Sequence, residues 1–118
     1  MTYYKGPERR KFPRITNRFI VSYRLLQEQD KVETSQTKNL SLGGMMLTTS
    51  HKFDPGTTLA LEIRLPFDPN PITVIAKVEE SHEVTKDLIY DTRLSFSSVS
   101  EKQRKVIMDT IDYYLKKG

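Results

Sequence analysis

The sequence predicts an all-β fold, an antiparallel barrel or sandwich, closed by one C-terminal helix. Three observations carry this reading. Five or six segments alternate apolar and polar residues with a period of two. Tight turns, with no helical stretch, separate them. After Ser100 the period lengthens to that of an amphipathic helix. The 118 residues suffice for one domain with a real core and leave no room for a second.

Taken in order, residues 1 to about 16 read as an arm with little regular structure, because Gly6-Pro7 and Pro13 break it and its apolar residues show no helical spacing. Residues 17–118 form the domain. In Phe19–Leu26, Phe19, Val21, Tyr23 and Leu25 alternate against Ile20, Ser22 and Arg24, the pattern of a strand. Gln27–Lys31 is a polar turn, and Val32–Leu40 a Thr-rich strand with little to bury at its start. Asn39-Leu40-Ser41-Leu42-Gly43-Gly44 interrupts the alternation, which Met45–Thr49 resumes.

Asp54-Pro55-Gly56 is a turn, with Pro setting φ and Gly permitting positive φ. Leu59, Leu61, Ile63 and Leu65 then share one face of the clearest strand. Three prolines between Pro66 and Pro71 enforce a loop. Ile72, Val74, Ala76 and Val78 alternate again before the pattern fades into the charged Glu79–Glu83. Leu88, Tyr90, Thr92, Leu94 and Phe96 make the last strand. Ser100 with Gln103 is a capping-box signature, and the helix it opens, about 100–116, carries Ile107, Met108, Ile111, Tyr114 and Leu115 on its expected buried face.

Charge is distributed unevenly along this plan. Residues 1–18 hold six Lys or Arg against one acid, whereas the other 100 hold 13 basic and 14 acidic side chains. The formal +4 of the chain therefore resides in its first residues and points to an anionic partner for the arm. Within Arg9-Arg10-Lys11-Phe12-Pro13-Arg14, Pro13 pushes Phe12 toward extended geometry. Arg10 and Arg14 are thus spaced to approach one ligand from different sides. Their planar guanidinium groups suit both phosphates and the O6/N7 edge of guanine.

The second motif is Asn39-x-Ser41-x-Gly43-Gly44. Side chains at i and i+2 of an extended segment point the same way, so Asn39 and Ser41 offer donors and acceptors on one shelf. The glycines remove the Cβ atoms that would keep a ligand off the backbone.

Together, Arg10-x-x-x-Arg14 and, about 25 residues later, Asn39-x-Ser41-x-x-Gly44 resemble the paired signature of PilZ domains, bacterial receptors for cyclic di-GMP. Met46-Leu47 after the glycines, the Pro55-Gly56 turn and Phe96 ending the last strand extend the resemblance over nearly the whole chain. It implies a six-stranded antiparallel barrel with the ligand on its outer surface. Arg10 and Arg14 would grip guanine edges and phosphates from the arm, Asn39 and Ser41 would contact a guanine and its phosphate, and Gly44 would leave room for a base to lie flat. The arm would order on binding and signal to a downstream protein. The resemblance also implies that the residue before the first motif arginine bears on stoichiometry. Arg9, able to stack on a guanine and neutralise phosphate charge, favours two intercalated molecules per chain. Many family members have glycine where this chain has Arg93, which either adds a cation to the site or crowds it.

Other function classes fit less well. Nonspecific nucleic-acid or acidic-surface binding needs stacking groups, and the arm offers only Phe12 and two tyrosines. A PilZ-like interaction module without ligand would not need both motifs. An enzyme has little to work with: His51 and His82 are the only histidines, far apart, and Asp109 and Asp112 fall on the helix's outer face. No metal site or cofactor is expected, and without cysteine there is neither a disulfide nor a catalytic thiol. No stretch approaches the roughly 18 apolar residues of a membrane span. Met1–Gly6 lacks a secretory h-region, so a cytoplasmic location is the expectation.

Overall fold

In the computed structural model, which describes residues 13–117, the elements are β1 (Arg14–Ile15), β2 (Ile20–Leu25), β3 (Glu33–Ser41), β4 (Gly44–Thr49), β5 (Thr58–Ile63), β6 (Ile72–Thr85), β7 (Ile89–Ser98) and α1 (Glu101–Lys117). The sheet runs β3-β2-β5-β6-β7-β4, every pairing antiparallel, and β4 returns to pair with β3. Six strands thus close on themselves, and β1 is an extra strand laid against β3. Leu40 pairs with Ile15 across one edge and with Met45 across the other, so β1 prolongs the edge that β2 occupies.

The inward-facing residues are those the alternation marks. Val21, Tyr23, Leu59, Leu61, Ile63, Ile72, Val74, Ala76, Val78 and Leu94 are buried in one cluster. Between β1 and β2 the ladder breaks, and the buried Thr37 mends it. Its hydroxyl accepts from the Phe19 N–H at 3.0 Å and donates to the Asn17 carbonyl at 3.2 Å. No buried polar group is thereby orphaned at the kink.

Four expectations need correction. The arm does not extend to residue 16: Arg14–Ile15 is a strand, held because Ile15 buries its side chain in the core. The Asn39–Gly44 interruption is a hairpin so tight that only Leu42 and Gly43 lie outside strands. The strand starting at Ile72 does not fade at Glu79 but continues to Thr85. Its polar second half pairs with β7, and Ser81 turns inward to the Thr92 hydroxyl at 2.6 Å and the Phe53 N–H at 3.2 Å. On α1, Ile107 and Ile111 are buried as expected, but Met108 and Leu115 are 43% and 46% exposed, and Thr110 is buried as well. The buried stripe includes Thr110 because its hydroxyl is satisfied by the Val106 carbonyl at 2.8 Å.

The capping box forms as expected. The Gln103 N–H donates to Ser100 Oγ at 3.2 Å, and the Ser100 N–H to Gln103 Oε1 at 3.4 Å. From this start α1 crosses β1 and β3, and Tyr114 meets Phe19 edge-on at 5.7 Å. Gly56 adopts φ +90°, and the Thr57 N–H closes the turn on the Asp54 carbonyl at 3.1 Å.

Candidate functional site

A cleft of about 180 Å³ opens on the outer surface of the barrel, lined by Arg14, Asn39, Ser41, Gly43, Gly44 and Arg93, with Met45, Glu79, Leu94 and Ser95. The strand pairing builds it. Arg14 lies opposite Ser41, which brings the last arginine of the first motif beside the second motif. Gly44 lies opposite Ser95, and Met46 opposite Arg93, which brings the β7 residues to the far wall. Arg9 and Arg10 lie outside the described residues.

The second motif is held rigidly. Lys38 is the bulged residue where β3 pairs with β4, and it sends its ammonium to Asp91 at 3.1 Å. Beyond the bulge, Asn39 Oδ1 accepts the Met46 N–H at 3.0 Å, which fixes the carboxamide and leaves its NH2 donors for the cleft. Ser41 Oγ donates to the Gly44 carbonyl and accepts from the Gly43 N–H, both at 3.3 Å. The hydroxyl expected to serve a ligand therefore also clamps its own hairpin, through two long bonds that are cheap to exchange.

Gly44 is also required by the barrel itself. A Cβ there would fall on the Leu94 carbonyl oxygen and 3.1 Å from both the Leu94 carbonyl carbon and the Ser95 Cα. Its lack of a side chain permits β4 to lie against β7. Arg93 lines the cleft with its guanidinium already paired. Its Nη1 pairs with Glu80 Oε2 at 3.1 Å, and Glu80 in turn meets His82 at 3.2 Å.

Sequence reasoning missed Glu79 and Ser95. Glu79 is the extra residue of a bulge, with Val78 opposite Leu94 and Glu80 opposite Arg93. Its Oε2 accepts the Ser95 hydroxyl at 2.6 Å. Only the β4–β7 and β6–β7 registers bring these residues to the motif, and alternation fixes faces without fixing partners.

At the opposite end of β3 and β4, Glu33 accepts hydrogen bonds from Ser50 Oγ at 2.6 Å and Tyr23 Oη at 3.1 Å, and it meets His51 Nε2 at 3.1 Å. The Ser50 bond is the chief reason that its carboxyl is held below the ordinary value of 4.5. His51 and His82 each have one carboxylate neighbour. Among the described residues no group of three or more His, Asp and Glu could hold a metal ion, and no helix is long and apolar enough to cross a membrane.

With this geometry in view, comparison with known proteins is informative. The fold resembles the Bacillus subtilis inhibitor of motility MotI/DgrA, with a TM-score of 0.74 at 22% identity over 92% of this chain and 53% of that one. It also resembles the PilZ domain of Escherichia coli YcgR with c-di-GMP, with a TM-score of 0.65 at 17% identity over 92% and 96% of the two chains. The K. pneumonia MrkH–c-di-GMP complex gives a TM-score of 0.67 at 20% identity over 92% and 53%. The chain thus spans about half the length of MotI/DgrA and MrkH. No curated protein matches it by sequence. Residues 8–112 match the PilZ domain, a span that includes both arginines of the first motif, the Asn-x-Ser shelf, the closed barrel and most of α1. The chain belongs to the PilZ domain family.

Proposed function

We propose that this PilZ domain is a cytoplasmic receptor for cyclic di-GMP that binds the dinucleotide in the cleft and passes the signal to a downstream protein. The observation that carries the reading is the meeting of Arg14 with Asn39 and Ser41 around one cleft, beside Arg93 and above a floor left flat at Gly44. A dianionic ligand with two guanines needs such a set: guanidinium groups for phosphates and O6/N7 edges, a fixed carboxamide, and a surface on which a base can lie. Two structural neighbours, the YcgR PilZ domain and MrkH, are complexes with c-di-GMP.

In this reading Arg10 joins Arg14 in gripping the ligand, and the segment before Arg14 becomes ordered over the barrel as it binds. Arg9 supports a stoichiometry of two intercalated molecules, because the four phosphates of such a pair require more positive charge than Arg10 and Arg14 supply. Calorimetric titration tests the whole reading. Cyclic di-GMP should bind at micromolar or tighter affinity, saturating at two equivalents. GTP and cyclic di-AMP should bind far more weakly, and Arg9→Leu should lower the number toward one. Equal affinity for the two cyclic dinucleotides would instead favour a merely electrostatic arm.

A further inference from the structure

One lining residue has the wrong sign for a phosphate site. Glu79 faces the cleft from the β6 bulge, and the Ser95 hydroxyl at 2.6 Å holds its carboxylate by Oε2. Ser95 is itself fixed opposite Gly44, so the carboxylate of the exposed Glu79 is tethered beside Gly44. By charge alone an acid here weakens every phosphate-bearing ligand. It becomes favourable against a ligand edge that offers it two adjacent donors.

Guanine has such a face. Its N1–H and N2 amino group lie side by side and match a carboxylate. Adenine presents a bare N1 acceptor at the same place, and hypoxanthine keeps N1–H but lacks the amino group. The rest of the cleft supplies the complement: Arg14, Arg93 and the Asn39 NH2 group are donors, suited to O6, N7 and phosphate oxygens. We propose that Glu79 reads the N1/N2 edge of a bound guanine and is a specificity-determining residue outside both sequence motifs, with Ser95 as its positioning residue. This rests on the reading of the cleft as a cyclic di-GMP site.

Electrostatics and recognition predict opposite signs for the same substitution, which makes the test decisive. The unmodified protein, Glu79→Gln and Ser95→Ala are titrated calorimetrically with cyclic di-GMP and with its inosine analogue, cyclic di-IMP, and thermal melts establish that each variant is folded. The unmodified protein should prefer cyclic di-GMP over cyclic di-IMP by about tenfold, the value of one charge-assisted hydrogen bond. Glu79→Gln should weaken cyclic di-GMP by about tenfold and flatten that preference, with Ser95→Ala in between. If Glu79→Gln binds cyclic di-GMP equally or more tightly, or if the unmodified protein does not distinguish the two ligands, the proposal is overturned while the receptor reading stands. If the unmodified protein binds no cyclic di-GMP, both fall together.

Discussion

Arg93 reaches the cleft with its charge already engaged: its Nη1 lies 3.1 Å from Oε2 of Glu80, the residue after Glu79 on β6. Both partners are substantially exposed, so the pair is worth at most about 1 kcal/mol. It nevertheless competes with any phosphate for the same guanidinium. Glu80→Gln is expected to raise affinity for cyclic di-GMP by up to about fivefold. Titrations at two salt concentrations check this. Unchanged affinity at low salt would mean that Arg93 contributes nothing to the ligand.

The two motif arginines should be alike in binding. Arg10→Ala and Arg14→Ala should each weaken cyclic di-GMP by about 10- to 150-fold, the loss of charge-assisted hydrogen bonds. Ile15→Ala, one residue further on, should instead lower the stability of the free protein by roughly 2–5 kcal/mol, because it empties a core position. Denaturant melts beside calorimetry separate the two effects.

Gly44→Ala is expected to destabilise the protein before any ligand is added, by roughly 1–3 kcal/mol, because its methyl would require β4 and β7 to move apart. A melt of the free protein reads this directly. An unchanged melting temperature would mean that the glycine serves only the ligand.

Glu33 provides a pH test at the other end of the barrel. Its carboxyl is held low chiefly by the Ser50 hydroxyl, and further by Tyr23 and His51, against an opposing effect of burial. A group whose folded value is depressed adds stability above its unfolded value and loses that contribution as pH falls through the folded one. Glu33→Gln should therefore melt lower than the unmodified protein at neutral pH. The gap should close on acidification below the ordinary 4.5.

Much of this was legible from the chain itself. The alternation in Leu59–Leu65 and Ile72–Val78 marks core faces because one face of each strand is buried, and Ser100 with Gln103 marks the helix start because the orphan N–H groups there need partners. Arg14, Asn39 and Ser41 could be grouped because their spacing carries a signature. Glu79 and Ser95 could not, because a bulge and two strand registers bring them there. The structural need for Gly44 was not legible either, since the backbone pressing on it belongs to β7, some fifty residues away in the chain. The over-wide apolar face given to α1 has a similar origin: periodicity counts apolar residues but does not reveal that a threonine can replace one by bonding to its own helix.

The two residues of β1 face in opposite directions. Arg14 enters the cleft, and Ile15 enters the core beneath α1. Peeling β1 away would cost both contacts in a single opening event, so the stability of that segment and the hold on a ligand are thermodynamically linked. Whatever occupies the cleft through Arg14 raises the free energy of detaching β1, and by reciprocity whatever tightens α1 over Ile15 raises occupancy of the cleft. Amide exchange at Ile15 and Leu40 should slow on ligand addition by a factor that reports the same coupling free energy.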